Sequence, residues 1–161
     1  MPHAVSKPPP FELTICGLDE IEGAFTHVLS ILDPGTPSPA ALRDYEGLRA
    51  HWVLRFDDVS VPCPGATPPG EADIVNLLQF ERELQAASPP CHLLVHCHAG
   101  VSRSTAAAAI LLAARAPGAE KEAVAAVQRV RPIARPNRRM IWLADRLLAC
   151  DGRLIAAAEN L

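Results

Sequence analysis

Aromatic residues are scarce in this 161-residue chain, which has four Phe, two Trp and one Tyr. So few rings cannot build the stacking platform that single-stranded nucleic acids bind. Charge of one sign is not massed anywhere either. The formal net charge is −3 with no block of like charge, so no nucleic-acid surface is expected. No apolar run approaches the roughly 20 residues of a membrane-spanning helix. The Pro-rich opening, Met1 to Pro10, has no apolar segment and reads as a loose tail rather than a signal peptide. Five cysteines, Cys16, Cys63, Cys91, Cys97 and Cys150, lack the paired spacing of a disulfide framework or a zinc site. A reducing cytoplasm is the expected setting.

What is present suits one globular unit, expected over residues 11–161. The length fits a single domain, and 49% hydrophobic residues suffice for a core. Sixteen prolines, mostly in the first ninety residues, imply stiff loops between short strands. Strands are predicted at Phe11–Cys16, His27–Leu32, His51–Phe56 and Cys91–His96. Helices are predicted at about Leu18–Ala24, Glu71–Ala87, Ser104–Arg115, Lys121–Val130 and Asn137–Cys150, with a short extra one within Asp151–Asn160. Loops take Asp33–Pro39 and Val59–Gly70, both rich in turn residues. Early strands, one helix, another strand and then consecutive helices predict an α/β fold. A central, partly parallel twisted sheet of four to five strands should be flanked by helices on both faces.

One stretch organises the rest: His-Cys-His-Ala-Gly-Val-Ser-Arg-Ser-Thr, His96 to Thr105. The apolar run Leu93-Leu94-Val95 before it suits a buried strand, and Ala106 to Leu112 after it reads as a helix apolar on every side. Strand, tight loop and helix build an anion site, because loop amides can converge and the helix start is partially positive. Gly100 permits the backbone angles such a loop needs. Cys97, at the strand end, sits where these dipoles favour a thiolate. Arg103, six positions on, can hold two phosphoryl oxygens with its planar fork. Together they are equipped to attack phosphorus.

His96-Cys97-x5-Arg103-Ser104, with Gly100 between, resembles the signature of the cysteine-based protein tyrosine phosphatases. With the loop past mid-chain, the order resembles the dual-specificity branch, whereas low-molecular-weight phosphatases carry theirs near the N-terminus. Leu32-Asp33-Pro34-Gly35 resembles a stretch of small bacterial phosphatases of this kind. Arg131-Pro132-x3-Pro136-Asn137 resembles the family's segment before its final helix. The resemblance implies that Cys97 is the nucleophile, forming a cysteinyl-phosphate. The amides of His98, Ala99, Gly100, Val101 and Ser102, with Arg103, would bind the phosphoryl oxygens. It implies that His96 orients the loop and helps hold the thiolate, and that Ser104 donates to the departing sulfur. The Ser104 hydroxyl could equally cap the helix. Lysines common in the loops of phosphoinositide phosphatases are replaced here by His98 and Val101, which argues against an inositol lipid.

A general acid is also required, since the leaving oxygen departs badly unless protonated. Asp57 and Asp58 end a predicted strand ahead of a long loop. Asp58 stands 39 positions before Cys97, and the family often places its acid thirty-odd residues before the nucleophile, so Asp58 is preferred and Asp57 is next. Asp73 falls in the first turn of a predicted helix, where a carboxylate complements the dipole. Arg135, Arg138 and Arg139 form a basic cluster that either draws in an acidic phosphopeptide or is a solvated face. Cys63 and Cys91 lack any spacing that would mark them as redox partners of Cys97. The resulting expectation is a protein tyrosine or dual-specificity phosphatase acting on a phosphorylated protein or peptide, with no metal or other cofactor. Its rivals are a phosphatase of a small phosphoester or nucleotide, and an inactive module that binds phosphorylated residues.

Overall fold

The computed structural model describes residues 9–43 and 45–161. Eight residues of the expected tail, 1–8, lie outside them. Four strands form one sheet: β1 (Glu12–Cys16), β2 (His27–Leu32), β3 (Ala50–Arg55) and β4 (His92–His96). Their order is β1-β4-β2-β3, and every neighbouring pair is parallel. Among the described residues six helices accompany them: α1 (Ala40–Arg43), α2 (Glu71–Ala86), α3 (Arg103–Arg115), α4 (Glu120–Val130), α5 (Arg138–Leu147) and α6 (Arg153–Glu159). The sheet is therefore wholly rather than partly parallel, at the low end of the expected strand count.

Burial follows position in the sheet. β2 is central and all six of its residues are buried, whereas β3 at the edge buries only Leu54. A parallel strand covered on both faces carries continuous apolar sequence, and Val28-Leu29 with Ile31-Leu32 in β2 does so. Alternate residues serve different cores. Leu29, Ile31, Leu93 and Val95 join the large cluster that includes residues of α2 to α6. Val28, Leu94 and Cys16 join a smaller one with Phe25 and Leu42. That second face is covered by the segment between β1 and β3, including the short α1, which the sequence pattern did not reveal. Helix α3 runs through the larger core, burying Arg103 to Ala113 without a break. Its four consecutive alanines let the axis lie close to the sheet.

Two predicted helices are shorter than expected. Over Leu18–Ala24 only a 3-10 turn, Leu18–Glu20, forms, because Glu20 folds its carboxylate back onto Gly17 N at 3.0 Å and Gly23 takes φ of 110°. The helix expected over Asn137–Cys150 is α5, with Asn137 as its N-cap accepting from Met140 N at 3.0 Å. It ends where Ala149 and Asp151 turn to positive φ. Among the described residues no helix is long and apolar enough to cross a membrane.

The parallel register has one consequence for function. All four strands end on the same side, so Gly17, Asp33, Phe56 to Asp58 and Cys97 gather at one edge of the sheet. In open α/β sheets ligands bind at that edge.

Helices α4 and α6 are tied by an ion pair at their starts, Arg153 Nε to Glu120 Oε2 at 3.2 Å, with Glu120 buried. This hydrogen bond above all holds the Glu120 carboxyl down from an ordinary 4.5 to about 2. Folding thus favours the charged form. The contribution is complete above pH about 4.5 and drains away as pH falls towards about 2. In thermal melts Glu120→Gln should be less stable than the parent at pH 7, and the gap should close by pH 2.

Candidate active site

The loop from Cys97 to Ser102 joins β4 to α3, and all of its carbonyls are held by groups outside it. Cys97 O accepts from His96 Nδ1 at 3.1 Å, and His98 O from Leu18 N at 2.8 Å. Arg131 donates to Ala99 O at 3.2 Å and to Gly100 O at 2.9 Å. Val101 O accepts from Arg135 N at 2.8 Å and Ser102 O from Asn137 N at 3.1 Å. The amides behave oppositely. Gly100 N donates to Cys97 Sγ at 3.2 Å, and among the described residues no acceptor takes the N–H of His98, Ala99, Val101 or Ser102. Carbonyls turned out and amides left free define a nest for an anion. Cys97 lies at its floor, 2% exposed.

Gly100 makes the loop possible. It takes φ of 70°, and a Cβ there would come within 2.5 Å of Gly17 N. The end of β1 therefore lies directly against the loop, and a side chain at Gly100 would drive them apart. Arg131 clamps the same place. Besides its two loop carbonyls it forks onto Glu20, with contacts of 2.9 and 2.7 Å. Arg131 was noted in the sequence only for its motif, and Glu20 was not singled out at all.

Cys97 Sγ also lies 3.2 Å from Ser104 Oγ. Ser104 is the second residue of α3 rather than its cap, so its hydroxyl is free to donate to a thiolate. His96 reaches the Cys97 carbonyl, not the sulfur. A carbonyl accepts only, so His96 Nδ1 carries the proton and Nε2 accepts from Ser30 Oγ at 2.6 Å. Ser30 Oγ in turn accepts from His51 Nε2 at 2.8 Å. Burial pushes the pKa of both histidines down, which keeps this chain neutral. Ser30 and His51 lie on β2 and β3, and only the sheet register brings them to His96.

Arg103 is buried as well. Its Nη1 donates to Asp33 Oδ1 at 2.6 Å and to Phe56 O at 2.7 Å, while its Nε is buried without a partner. One edge of the guanidinium is thus fixed, and Nε on another edge is left for a ligand. Asp33 also donates its N–H to His98 Nε2 at 3.1 Å. In the sequence Asp33 stands in a turn and in the Leu32-Asp33-Pro34-Gly35 stretch, and neither marks it as a partner of Arg103.

The three aspartates separate cleanly. Asp58 Oδ1 accepts from Ser102 Oγ at 2.7 Å and Asn137 Nδ2 at 2.9 Å, which brings that carboxylate to the loop. Asp57 instead closes the neck of its own loop, exchanging bonds of 2.7 Å with the Thr67 backbone through both its N–H and its carboxylate. Asp73 accepts from Gly70 N at 2.8 Å at the start of α2. The basic cluster also divides, since Arg139 donates to Pro69 O at 2.6 Å while Arg135 and Arg138 are exposed. All five cysteines are free. Burial first, then the Glu20 carboxylate, pushes the neighbouring Cys16 thiol up to about 11, so it stays neutral.

If Arg131 and Glu20 hold the loop, Arg131→Met should free its carbonyls while keeping the apolar stem. Hydrogen bonds to a charged group contribute about 1.5–3 kcal/mol. Exchange of the amides bonded to the loop, those of Leu18, Gly100, Arg135 and Asn137, should therefore quicken by about ten- to a hundredfold, with the middle of α3 unchanged.

No family model matches the sequence, and no curated protein matches it either. Solved structures do. Human DUSP28 superposes with a TM-score of 0.62 at 18% identity, over 90% of this chain and 94% of its own. DUSP15 gives 0.59 at 18% identity over 96% of both chains. A human tyrosine phosphatase-like serine/threonine/tyrosine-interacting protein gives 0.57 at 22% identity, over 79% of this chain and 78% of its own. The chain has the fold of the cysteine-based dual-specificity phosphatases.

Proposed function

We propose that the protein is a phosphomonoester hydrolase, a protein tyrosine or dual-specificity phosphatase that works through a cysteinyl-phosphate. The observation that carries this is the loop itself, with outward carbonyls, free amides, Cys97 at the floor and the unpartnered Nε of Arg103 beside it. The fold does not decide the matter, since one of its bearers is named phosphatase-like and interacting. An inactive binding module has no use for a nucleophile, and here Cys97 and Arg103 are both in place.

In the first step Cys97 Sγ attacks phosphorus as the thiolate, and the ester oxygen leaves with a proton from Asp58. The Ser102 and Asn137 contacts use one Asp58 oxygen, so Oδ2 can carry that proton. In the second step Asp58 takes a proton from water as the water oxygen attacks phosphorus. The S–P bond breaks, and Ser104 Oγ donates to the departing sulfur. Amides and Arg103 stabilise the equatorial oxygens in both steps, so the chemistry needs no metal. A thiolate nucleophile calls for a reducing compartment, and the cytoplasm is the proposed location. A phosphorylated protein or peptide is the proposed substrate.

Cys97→Ser should abolish turnover of a phosphotyrosine peptide while leaving the melting temperature and sulfate binding near those of the parent. Retention of a tenth of the parent rate would end the cysteine mechanism.

The acid is tested separately. Asp58→Asn should slow phosphotyrosine peptide hydrolysis by about 10²–10⁴-fold, the span of lost general acid catalysis. An activated aryl ester should suffer less in its first step. Asp57→Asn and Asp73→Asn, made in parallel, should keep the basic limb of the pH–rate profile. Loss of that limb in either variant but not in Asp58→Asn would reassign the acid.

A further inference from the structure

A cleft of about 420 Å³ opens beside the loop. Its inner wall includes Ser102 and Asn137, the two residues that donate to Asp58. The cleft therefore adjoins Asp58 through these two residues. Its lining includes Ile141 and Trp142 of α5 and Ile155 of α6. Trp142 is 44% exposed, and the Arg146 guanidinium lies over its ring at 4.8 Å from the centroid. The mouth carries Arg135 and Arg138, both exposed. Among the described residues neither forms an ion pair, whereas Arg103 and Arg131 at the loop each meet a carboxylate. Among the described residues Glu159 is the one acidic side chain on the cleft. The result is an apolar recess with a cationic mouth on a chain of net charge −3.

We infer that this cleft is a substrate subsite, taking a large apolar side chain of a phosphorylated polypeptide whose neighbouring carboxylates meet Arg135 and Arg138. The inference rests on the phosphatase reading above and narrows it. A small phosphoester is finished once its phosphoryl group lies in the loop. To fill the cleft a substrate must continue past Asp58, as a polypeptide does on either side of its phosphorylated residue. Apolar contact with Trp142 and Ile141 excludes water around the acid, and the arginines select against basic flanks. Neither arginine takes part in holding the loop by its side chain, so selection and chemistry are separable.

The test uses the full chain and four probes: p-nitrophenyl phosphate, a nucleoside monophosphate, a phosphotyrosine peptide flanked by Leu and Asp, and the same peptide flanked by Ala and Lys. The parent should favour the Leu/Asp peptide by tenfold or more in kcat/KM. In Trp142→Ala and in Arg138→Glu, the ratio of kcat/KM for that peptide to that for p-nitrophenyl phosphate should fall at least tenfold, carried mainly by KM. Arg138→Glu does not threaten the fold, since an acid in the first turn of a helix is favourable. Equal use of both peptides by the parent, or ratios unchanged within twofold in both variants, would overturn the subsite and leave the phosphatase reading intact. A nucleoside monophosphate preferred over both peptides, with that preference lost in Trp142→Ala, would overturn it in favour of a base-binding cleft. Failure of the parent to hydrolyse any probe would remove the phosphatase reading and the subsite with it.

Discussion

A loop can offer its N–H groups to an anion only if its carbonyls are disposed of elsewhere. That constraint governs the molecule. An unsatisfied buried polar group costs about 1–3 kcal/mol, so six consecutive carbonyls without partners would undo the fold. Here they are met by a strand histidine, a backbone amide after β1, the Arg131 fork, and two backbone amides before α5. Supplying them fixes where β1 ends, where the segment after α4 runs and where α5 begins. The amides of His98, Ala99, Val101 and Ser102 then stay unpaired, because nothing among the described residues is placed to take them. On the proposed reading an oxyanion would supply their missing hydrogen bonds, and the loop would need no reorganisation to receive it.

The parallel sheet does the gathering. Each strand is followed by a connection that returns the chain to the opposite edge, so the strand ends converge while the sequence between them is long. Arg103 shows the effect: its Nη1 contacts come from the ends of β2 and β3, 70 and 47 residues away. β1 makes its contribution by proximity. It neighbours β4 in the sheet, and the backbone at Gly17 and Gly100 closes up because neither residue has a side chain to hold it off.

Legibility in the sequence tracks this division between local and distant. The run from His96 to Thr105 could be read because its information is contiguous: an apolar strand, a glycine, an arginine and an alanine-rich helix. Helices with a clear apolar period were found to within a few residues for the same reason. The Glu20–Arg131 pair spans 111 residues, and the Ser30–His51–His96 chain exists only through the register of three strands. Nothing near any of those residues marks them. Asp57 and Asp58 were adjacent and chemically identical on the page. What separates them is that one carboxylate turns back on its own loop and the other meets Ser102 and Asn137. Ser102 was valued for its amide, yet its hydroxyl is what brings Asp58 to the loop.

Asp33 raises a physical question of its own, because a carboxylate beside an anion site opposes the ligand. The exposures resolve it. The Arg103 side chain is 5% exposed and that of Asp33 is 44%. A buried guanidinium left without a counter-charge is strongly destabilising, so Arg103 needs a partner within the chain. Asp33 supplies it from the solvent side, where water would screen its repulsion of a phosphoryl group on the proposed reading. It also engages Nη1 and leaves Nε open. On the proposed reading an anion would add a second partner to Arg103 rather than displace the first. The contact that balances the buried guanidinium would then also hold the fork in the orientation in which it acts.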